Sequence, residues 1–117
     1  MKIMLVEDDE NLCSTMEFAL KRVGHDVVGM AIDGEAALEV YRDTNPELVI
    51  IDIILPKLHG IDVITKIKEM NPDAKILATT GASHDSLIMK AMDSGANSYL
   101  TKPFGMSDLI TEIEKFK

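Results

Sequence analysis

The sequence predicts a doubly wound α/β domain, in which a five-stranded parallel sheet carries helices on both faces. One observation is the apolar run Leu48–Asp52 (LVIID), which ends in a carboxylate and is followed by Pro56 and Gly60. A continuous apolar run bounded by turn-forming residues is typical of a strand buried on both faces. The other is that such runs alternate with segments of helical periodicity along the 117 residues. That alternation is the pattern of a parallel sheet with crossover helices.

Four more strands are expected, at residues 2–6, 25–31, 75–80 and 97–101. The intervening segments carry apolar residues three and four positions apart, and they are closed by Gly24, Pro46, Asn71-Pro72 and Gly95. This spacing places the apolar residues on one face of a helix. Asp33-Gly34, Ser83 and Ser107 are expected to cap the second, fourth and fifth helices, since short polar side chains accept hydrogen bonds from helix N-termini.

The strand order follows from the handedness of the connections. Right-handed crossovers between parallel strands leave few orders, and the flavodoxin-like order 2-1-3-4-5 puts the first and third strands side by side. The chain contains no linker, internal repeat or low-complexity segment. We therefore expect one domain over residues 1–117, a length within the usual range for a single domain.

Composition and charge exclude several classes of partner. The net charge of −8 argues against nucleic acid as a direct ligand, because phosphate binding requires clustered basic residues. Cys13 is the only cysteine, so neither an internal disulfide nor a CxxC zinc site is expected. No apolar run approaches the ~20 residues of a membrane span, and no signal peptide precedes the first strand. We expect a cytoplasmic protein without a membrane partner, with His25, His59 and His84 at its surface.

Polar residues follow four of the predicted strands at the point where each strand ends. Glu7 and Asp8 follow the first strand, and Asp52 ends the third; Thr80 and Lys102 follow the fourth and fifth. Because the carboxyl ends of parallel strands share one edge, three carboxylates, a hydroxyl and an ammonium should converge there.

Such a cluster suits phosphoryl chemistry. Three neighbouring carboxylates repel one another unless a cation neutralises them, and oxygen ligands without His or Cys favour Mg²⁺ over zinc. Thr80 and Lys102 could bind phosphoryl oxygens. Asp52, on the central strand, is placed to act as a nucleophile that forms an acyl phosphate. Positioning and charge neutralisation are most of what phosphoryl transfer requires from a protein.

Four segments carry a resemblance to a known family: MLVEDD (4–9), VIIDIILPKLHG (49–60), ATTGAS (78–83) and SYLTKPF (98–104). They resemble the receiver domains of response regulators in two-component signalling, including the chemotaxis receivers. The resemblance spans the whole chain. Chemotaxis receivers are themselves an example of the order 2-1-3-4-5, so that order is not independent evidence for the family.

The resemblance implies that Asp52 accepts a phosphoryl group from a histidine kinase or phosphotransfer protein. Asp8, Asp52 and the backbone carbonyl of Ile54 would bind Mg²⁺, with Glu7 acting mainly through water. Like the family, the chain would promote only its own phosphorylation and dephosphorylation and would not be an enzyme for other substrates. Ile54 and Ala82 are apolar where a polar side chain could hold the hydrolytic water, which predicts slow loss of the phosphoryl group.

The resemblance also implies a switch. Thr80 and Lys102 would contact the phosphoryl group, and Tyr99 would be the switch aromatic that pairs with Thr80. A downstream protein or a second copy of the domain would then dock on the face formed by helix 4, strand 5 and helix 5. The Lys102-Pro103 bond would be cis, as proline permits.

Three positions depart from the commonest family pattern: Glu7 replaces an Asp, His59 an acidic residue and Gly81 an Ala. Two other functions remain open. A phosphohydrolase of the haloacid-dehalogenase type also uses a strand-end Asp and Mg²⁺, but it needs a second Asp where this chain has Ile54. A receiver-fold adaptor that is never phosphorylated would not need the complete polar set. Nucleotide binding is not indicated, because neither GxGxxG nor GxxxxGK[ST] occurs.

Overall fold

A computed structural model describes residues 1–81 and 85–117 of the chain. Strands and helices alternate through these residues: β1 (Lys2–Val6), α1 (Glu10–Arg22), β2 (Asp26–Ala31), α2 (Gly34–Thr44), β3 (Leu48–Asp52), α3 (Gly60–Met70), β4 (Lys75–Gly81), α4 (Asp85–Ser94), β5 (Ser98–Lys102) and α5 (Met106–Glu114). The strands form one parallel sheet in the order β2-β1-β3-β4-β5. The predicted fold class and strand order are confirmed.

The sheet separates two apolar layers, and β1 shows how. Successive side chains of a strand point to opposite faces. Accordingly, Ile3 and Leu5 pack in the layer with α1 and α5, whereas Met4 and Val6 pack in the layer with α2, α3 and α4. All five residues of β3 are buried because this central strand is covered on both faces. The end of β3 is therefore held rigidly by its neighbours.

The predicted helix caps have different outcomes. The Asp33 carboxylate accepts a hydrogen bond from the Ala36 N–H at 2.9 Å, which confirms the cap of α2. Ser107 was expected to cap α5, and this is wrong: α5 already begins at Met106. The reason is that the Asp108 carboxylate reaches back to the Gly105 N–H, 3.0 Å away, so the cap is Gly105 and the helix starts two residues earlier than expected. Ser83, the expected cap of α4, lies outside the described residues.

His25 is not at the surface, as the sequence suggested, but buried, with only 3% of its surface exposed. Gly24, with φ 93°, turns the chain after α1, and the His25 N–H bonds to the Leu20 carbonyl at 3.0 Å. The ring nitrogen Nδ1 lies 2.9 Å from the Met1 ammonium nitrogen. Within residues 1–81 and 85–117, Nε2 has no hydrogen-bond partner.

Burial lowers the pKa of His25, because the charged imidazolium would lose its hydration. The positive charges of the Met1 ammonium and Lys117 act in the same direction. Glu114 and Asp26 face the ring as well and act in the opposite direction, without reversing the shift. The folded protein therefore keeps His25 neutral where an exposed histidine would be protonated.

We expect this histidine to make the folded state less stable in mild acid. The unfolded chain takes up a proton at His25 near its ordinary pKa of about 6.5, and the folded chain does so only at lower pH. Stability from this group is complete above that pH and falls as the pH drops from about 7 to 5. Urea unfolding of the wild type and of His25→Gln across this range measures the effect as a difference in slope against pH.

The matched control is His59→Gln, because His59 is exposed. It should keep the wild-type slope, while His25→Gln should lose part of it. Equal slopes for wild type and His25→Gln would contradict the assignment.

In the described part of the chain, none of the helices is both long and apolar enough to cross a membrane.

Candidate functional site

The carboxyl edge of the sheet brings together side chains from three strands. Glu7 directly follows β1, and its N–H bonds to the Ala31 carbonyl at 3.0 Å, which fixes its backbone against β2. Asp52 is the last residue of β3, and Lys102 is the last of β5. Glu7 and Asp52 are buried, whereas Asp8 is exposed. The edge thus presents one accessible carboxylate beside two sheltered ones.

Lys102 lies between the two sheltered carboxylates. Its ammonium nitrogen is 2.7 Å from Glu7 Oε1 and 2.8 Å from Asp52 Oδ2. Burial acts to lower the pKa of Lys102, but the hydrogen bonds to Asp52 and Glu7 outweigh it and raise the pKa. The ammonium therefore stays charged, and it compensates part of the negative charge at this edge.

Glu7 titrates differently from an exposed carboxylate. Burial is the largest influence and raises the pKa of Glu7, and the charge of Asp52 acts in the same direction. The hydrogen bonds from Lys102 and from the Asp9 N–H, at 2.7 and 3.1 Å, oppose this shift without cancelling it. Glu7 therefore takes up a proton more readily than an exposed glutamate. A nearby cation would favour its ionised form.

Three carboxylates form a cluster at this edge. One oxygen each from Glu7, Asp8 and Asp52 lies within 4.8 Å of the other two. With Lys102, the formal charge of the group is −2, which a divalent cation would neutralise. Asp8 accepts no hydrogen bond from the described residues, so its oxygens are available to a ligand. Oxygen donors of this kind fit Mg²⁺, which binds through few carboxylates and keeps several waters.

The loop after β3 holds the Asp52 carboxylate through a backbone hydrogen bond. The Ile54 N–H donates to Asp52 Oδ1 at 2.9 Å, and the Ile53 N–H bonds to the Thr79 carbonyl at 3.0 Å. The Gly60 N–H then closes the loop on the Ile53 carbonyl at 3.1 Å. A methyl group at Gly60 would overlap the Asp52 carbonyl oxygen and lie 2.5 Å from Ile53 Cα, so the loop needs a glycine there.

Sequence reasoning considered the carbonyl and the side chain of Ile54 and missed its N–H. The signal was present, since an Asp at a strand end commonly bonds the N–H two residues on. The Ile54 side chain is 45% exposed and apolar, so it offers no general acid of the kind a haloacid-dehalogenase-type enzyme needs. Ala82, the other residue linked to slow hydrolysis, lies outside the described residues.

The two predicted switch residues occupy neighbouring strands. Thr80 is buried on β4 and pairs with Thr101 of β5, and Tyr99 of β5 pairs with Ala78 of β4. Thr80 and Tyr99 therefore sit diagonally on the same face of the sheet. Tyr99 is 46% exposed. The Lys102-Pro103 bond is cis, as the resemblance implied.

Comparison with known proteins now identifies the family. The response regulator receiver domain matches residues 3–114 of this chain. The chain belongs to that family. Receiver domains are the signalling switches of two-component response regulators, and they are not enzymes that turn over external substrates. The carboxyl edge described above is therefore the edge of a receiver domain.

Curated relatives include single-domain and longer proteins. The receiver domain is 28% identical over 114 residues to chemotaxis protein CheY of Thermotoga maritima, covering 97% of this chain and 95% of that protein. It is 36% identical to the transcriptional regulatory protein PdtaR of Mycobacterium tuberculosis, covering 97% of this chain but 55% of the relative. The chain thus spans about half the length of that regulator.

Solved structures share the fold closely. A response regulator from Chloroflexus aurantiacus superposes with a TM-score of 0.91 at 26% identity, covering 98% of this chain and 95% of that one. The BeF₃-activated DrrB receiver domain gives 0.86 at 29% identity, covering 98% and 95%. These likenesses extend over nearly the whole of both chains in each case.

Proposed function

We propose that this receiver domain is a phosphorylation-controlled switch in which Asp52 accepts a phosphoryl group from a histidine kinase or phosphotransfer protein. One Asp52 oxygen attacks the phosphorus, an acyl phosphate forms, and the bond to the donor's histidine nitrogen breaks. The observation that carries the proposal is the setting of the Asp52 carboxylate. It ends the central strand between the Ile54 N–H and the Lys102 ammonium, and it sits beside two further carboxylates.

The proposed metal is Mg²⁺, held by Asp8, Asp52 and the carbonyl of Ile54, with Glu7 acting through water. When bound, the ion supplies positive charge to the phosphoryl oxygens as negative charge builds up on them. The chain supplies the rest. Lys102 neutralises Asp52, the Ile54 N–H fixes one carboxylate oxygen, and the burial of Glu7 and Asp52 limits access by water.

The proposed output is a changed docking surface. Thr80 would bind a phosphoryl oxygen, and the exposed Tyr99 would turn inward toward the space that Thr80 vacates. The face formed by α4, β5 and α5 would then present a different surface to a downstream protein or to a second copy of the domain. A phosphoryl group drives this change only to the extent that it binds one of the two arrangements better. Location in the cytoplasm and a single domain over residues 1–117 stay predictions.

Incubation with acetyl phosphate and Mg²⁺ tests the proposal. Intact mass should show one added phosphoryl group, and a chelator should prevent it.

Asp8→Ala should weaken Mg²⁺ binding by about tenfold or more, because it removes the accessible carboxylate of the cluster. The same variant should be equally or more stable without metal, since one of three crowded carboxylates is gone. Calorimetric titration with Mg²⁺ and urea unfolding measure the two effects.

Asp93→Ala is the matched control, because Asp93 is an exposed carboxylate on α4. It should bind Mg²⁺ and take up the phosphoryl group as the wild type does. If Asp8→Ala bound Mg²⁺ as tightly as Asp93→Ala, the acidic cluster would not be the metal site. If the wild type gained no phosphoryl group, the proposed function itself would be wrong.

A further inference from the structure

The loop that follows β3 contains a strained turn. Lys57 has φ 66°, and the Leu58 N–H bonds to the Pro56 carbonyl at 2.9 Å, which closes a turn of three residues. Turns of this kind with positive φ are rare and strained. A residue other than glycine keeps such a conformation only where its surroundings hold it, and such strain concentrates at functional sites. Residues 56–58 form this turn, which we call the acceptor-loop turn, and neighbouring residues must hold it in place.

The N-terminus of α2 holds this turn through two polar contacts. The Gly34 N–H donates to the Pro56 carbonyl at 3.3 Å, so that carbonyl accepts two hydrogen bonds. The Asp33 carboxylate lies 3.6 Å from the Lys57 ammonium through Oδ2, while its Oδ1 caps the helix at Ala36. One aspartate side chain thus caps α2 and lies beside the side chain of the strained residue.

The third contact is steric. Gly34 is buried, and a methyl group at this position would overlap the Leu58 carbonyl oxygen and lie 2.6 Å from Leu58 Cβ. The obstructing atoms belong to backbone and Cβ, so they cannot swing aside as the end of a long side chain could. Gly34 is therefore required by the close approach of α2 to the turn. A larger residue must push the turn or the helix away.

The turn is continuous with the residues that hold Asp52. Two residues upstream, Ile54 donates its N–H to Asp52 Oδ1, and its carbonyl is a proposed metal ligand. The loop is fixed at its ends by the bonds from Ile53 to Thr79 and from Gly60 to Ile53. Between those ends, Gly34 and Asp33 make polar contacts that join its middle to the N-terminus of α2.

We infer that Asp33 and Gly34 are positioning residues for phosphoryl acceptance: they hold the acceptor-loop turn and thereby set the place of the Ile54 backbone groups at Asp52. The inference rests on the proposed function of Asp52. Neither residue touches the phosphoryl group. Their influence is on geometry, and a misplacement of about 1 Å can slow a reaction by up to a hundredfold.

Gly34→Ala tests the inference. Phosphoryl uptake from acetyl phosphate with Mg²⁺ should slow by roughly ten- to a hundredfold, because the added methyl group displaces the turn. The amide resonance of Ile54 should shift as well, since its hydrogen bond to Asp52 changes. This second reading does not depend on chemistry. It would move even if the wild type accepted no phosphoryl group, so failure here and failure of the proposed function are distinguishable.

One glycine variant serves as the control for loss of stability alone. Gly24→Ala strains a residue with φ 93° in the turn after α1, away from α2 and the acceptor-loop turn. It should keep the rate of phosphoryl uptake per folded molecule and the Ile54 resonance. If Gly34→Ala matched this control in either reading, the inference would be overturned.

If Gly34→Ala does not fold, Lys57→Gly tests the same inference. Glycine adopts φ 66° without strain, so this variant should be as stable as the wild type. Glycine gives the backbone of residue 57 more freedom, which loosens the turn, and phosphoryl uptake should therefore slow severalfold despite intact stability. A role in folding alone would leave that rate unchanged. An unchanged rate in Lys57→Gly, with an unmoved Ile54 resonance, would also overturn the inference.

Discussion

Asp52→Asn is expected to abolish phosphoryl uptake from acetyl phosphate while leaving the domain folded. An amide nitrogen does not replace the second carboxylate oxygen as a nucleophile, so no acyl phosphate forms. The substituted side chain has nearly the same shape, and its Oδ1 can still accept the Ile54 N–H bond that now measures 2.9 Å. Loss of label should therefore reflect lost chemistry. Intact mass after incubation with the phosphodonor gives the result directly.

Asp108→Asn is the control for this prediction. Asp108 is an exposed carboxylate that caps α5 through the Gly105 N–H, and it should be irrelevant to phosphoryl uptake. That variant should gain one phosphoryl group as the wild type does. A phosphoryl adduct on Asp52→Asn equal to that on Asp108→Asn would show that another residue is the acceptor.

The overall fold and the composition of the carboxyl edge could be predicted because both follow from simple patterns. Leu48–Asp52 is apolar until its last residue, and every parallel strand leaves the sheet at the same edge. The polar residues that end neighbouring strands therefore had to meet. The structure places the Lys102 ammonium within hydrogen-bond distance of both Glu7 and Asp52.

The details that could not be predicted depend on contacts between segments distant in sequence. Gly34 looks like an ordinary residue of a helix start until Leu58 is packed against it. His25 carries no pattern that distinguishes a buried imidazole from an exposed one. The Ser107 cap failed because the Asp108 carboxylate accepts the Gly105 N–H and the helix begins at Met106. Such choices are set by packing and by local competition, which propensity alone does not resolve.

The charge balance of the carboxyl edge links stability to function. Lys102 compensates two buried carboxylates in the absence of metal, yet its ammonium sits where it competes with a cation for the same oxygens. Phosphorylation would add negative charge to Asp52, and Lys102 would then have a stronger partner on one side. On the proposed function, the same lysine would stabilise the unphosphorylated domain and respond to the modification.

Lys102→Met should accordingly lower stability and strengthen metal binding at the same time. Without the ammonium, Glu7 and Asp52 lose a hydrogen-bond donor at 2.7 and 2.8 Å and repel each other. The free energy of unfolding at neutral pH without Mg²⁺ should fall by about 1–3 kcal/mol, the usual penalty for a buried polar group left without its partner. Added Mg²⁺ should restore much of this loss, because the ion binds the folded state.

Lys115→Met is the matched control for this prediction. Lys115 makes an ion pair of similar length with Glu112, 2.7 Å, but its side chain is 65% exposed. Exposed pairs contribute little, so this variant should stay within about 0.5 kcal/mol of the wild type. Mg²⁺ should stabilise it no more than the wild type. Urea unfolding with and without Mg²⁺ would refute the role of Lys102 if the two lysine variants behaved alike, since burial between two carboxylates is what separates them.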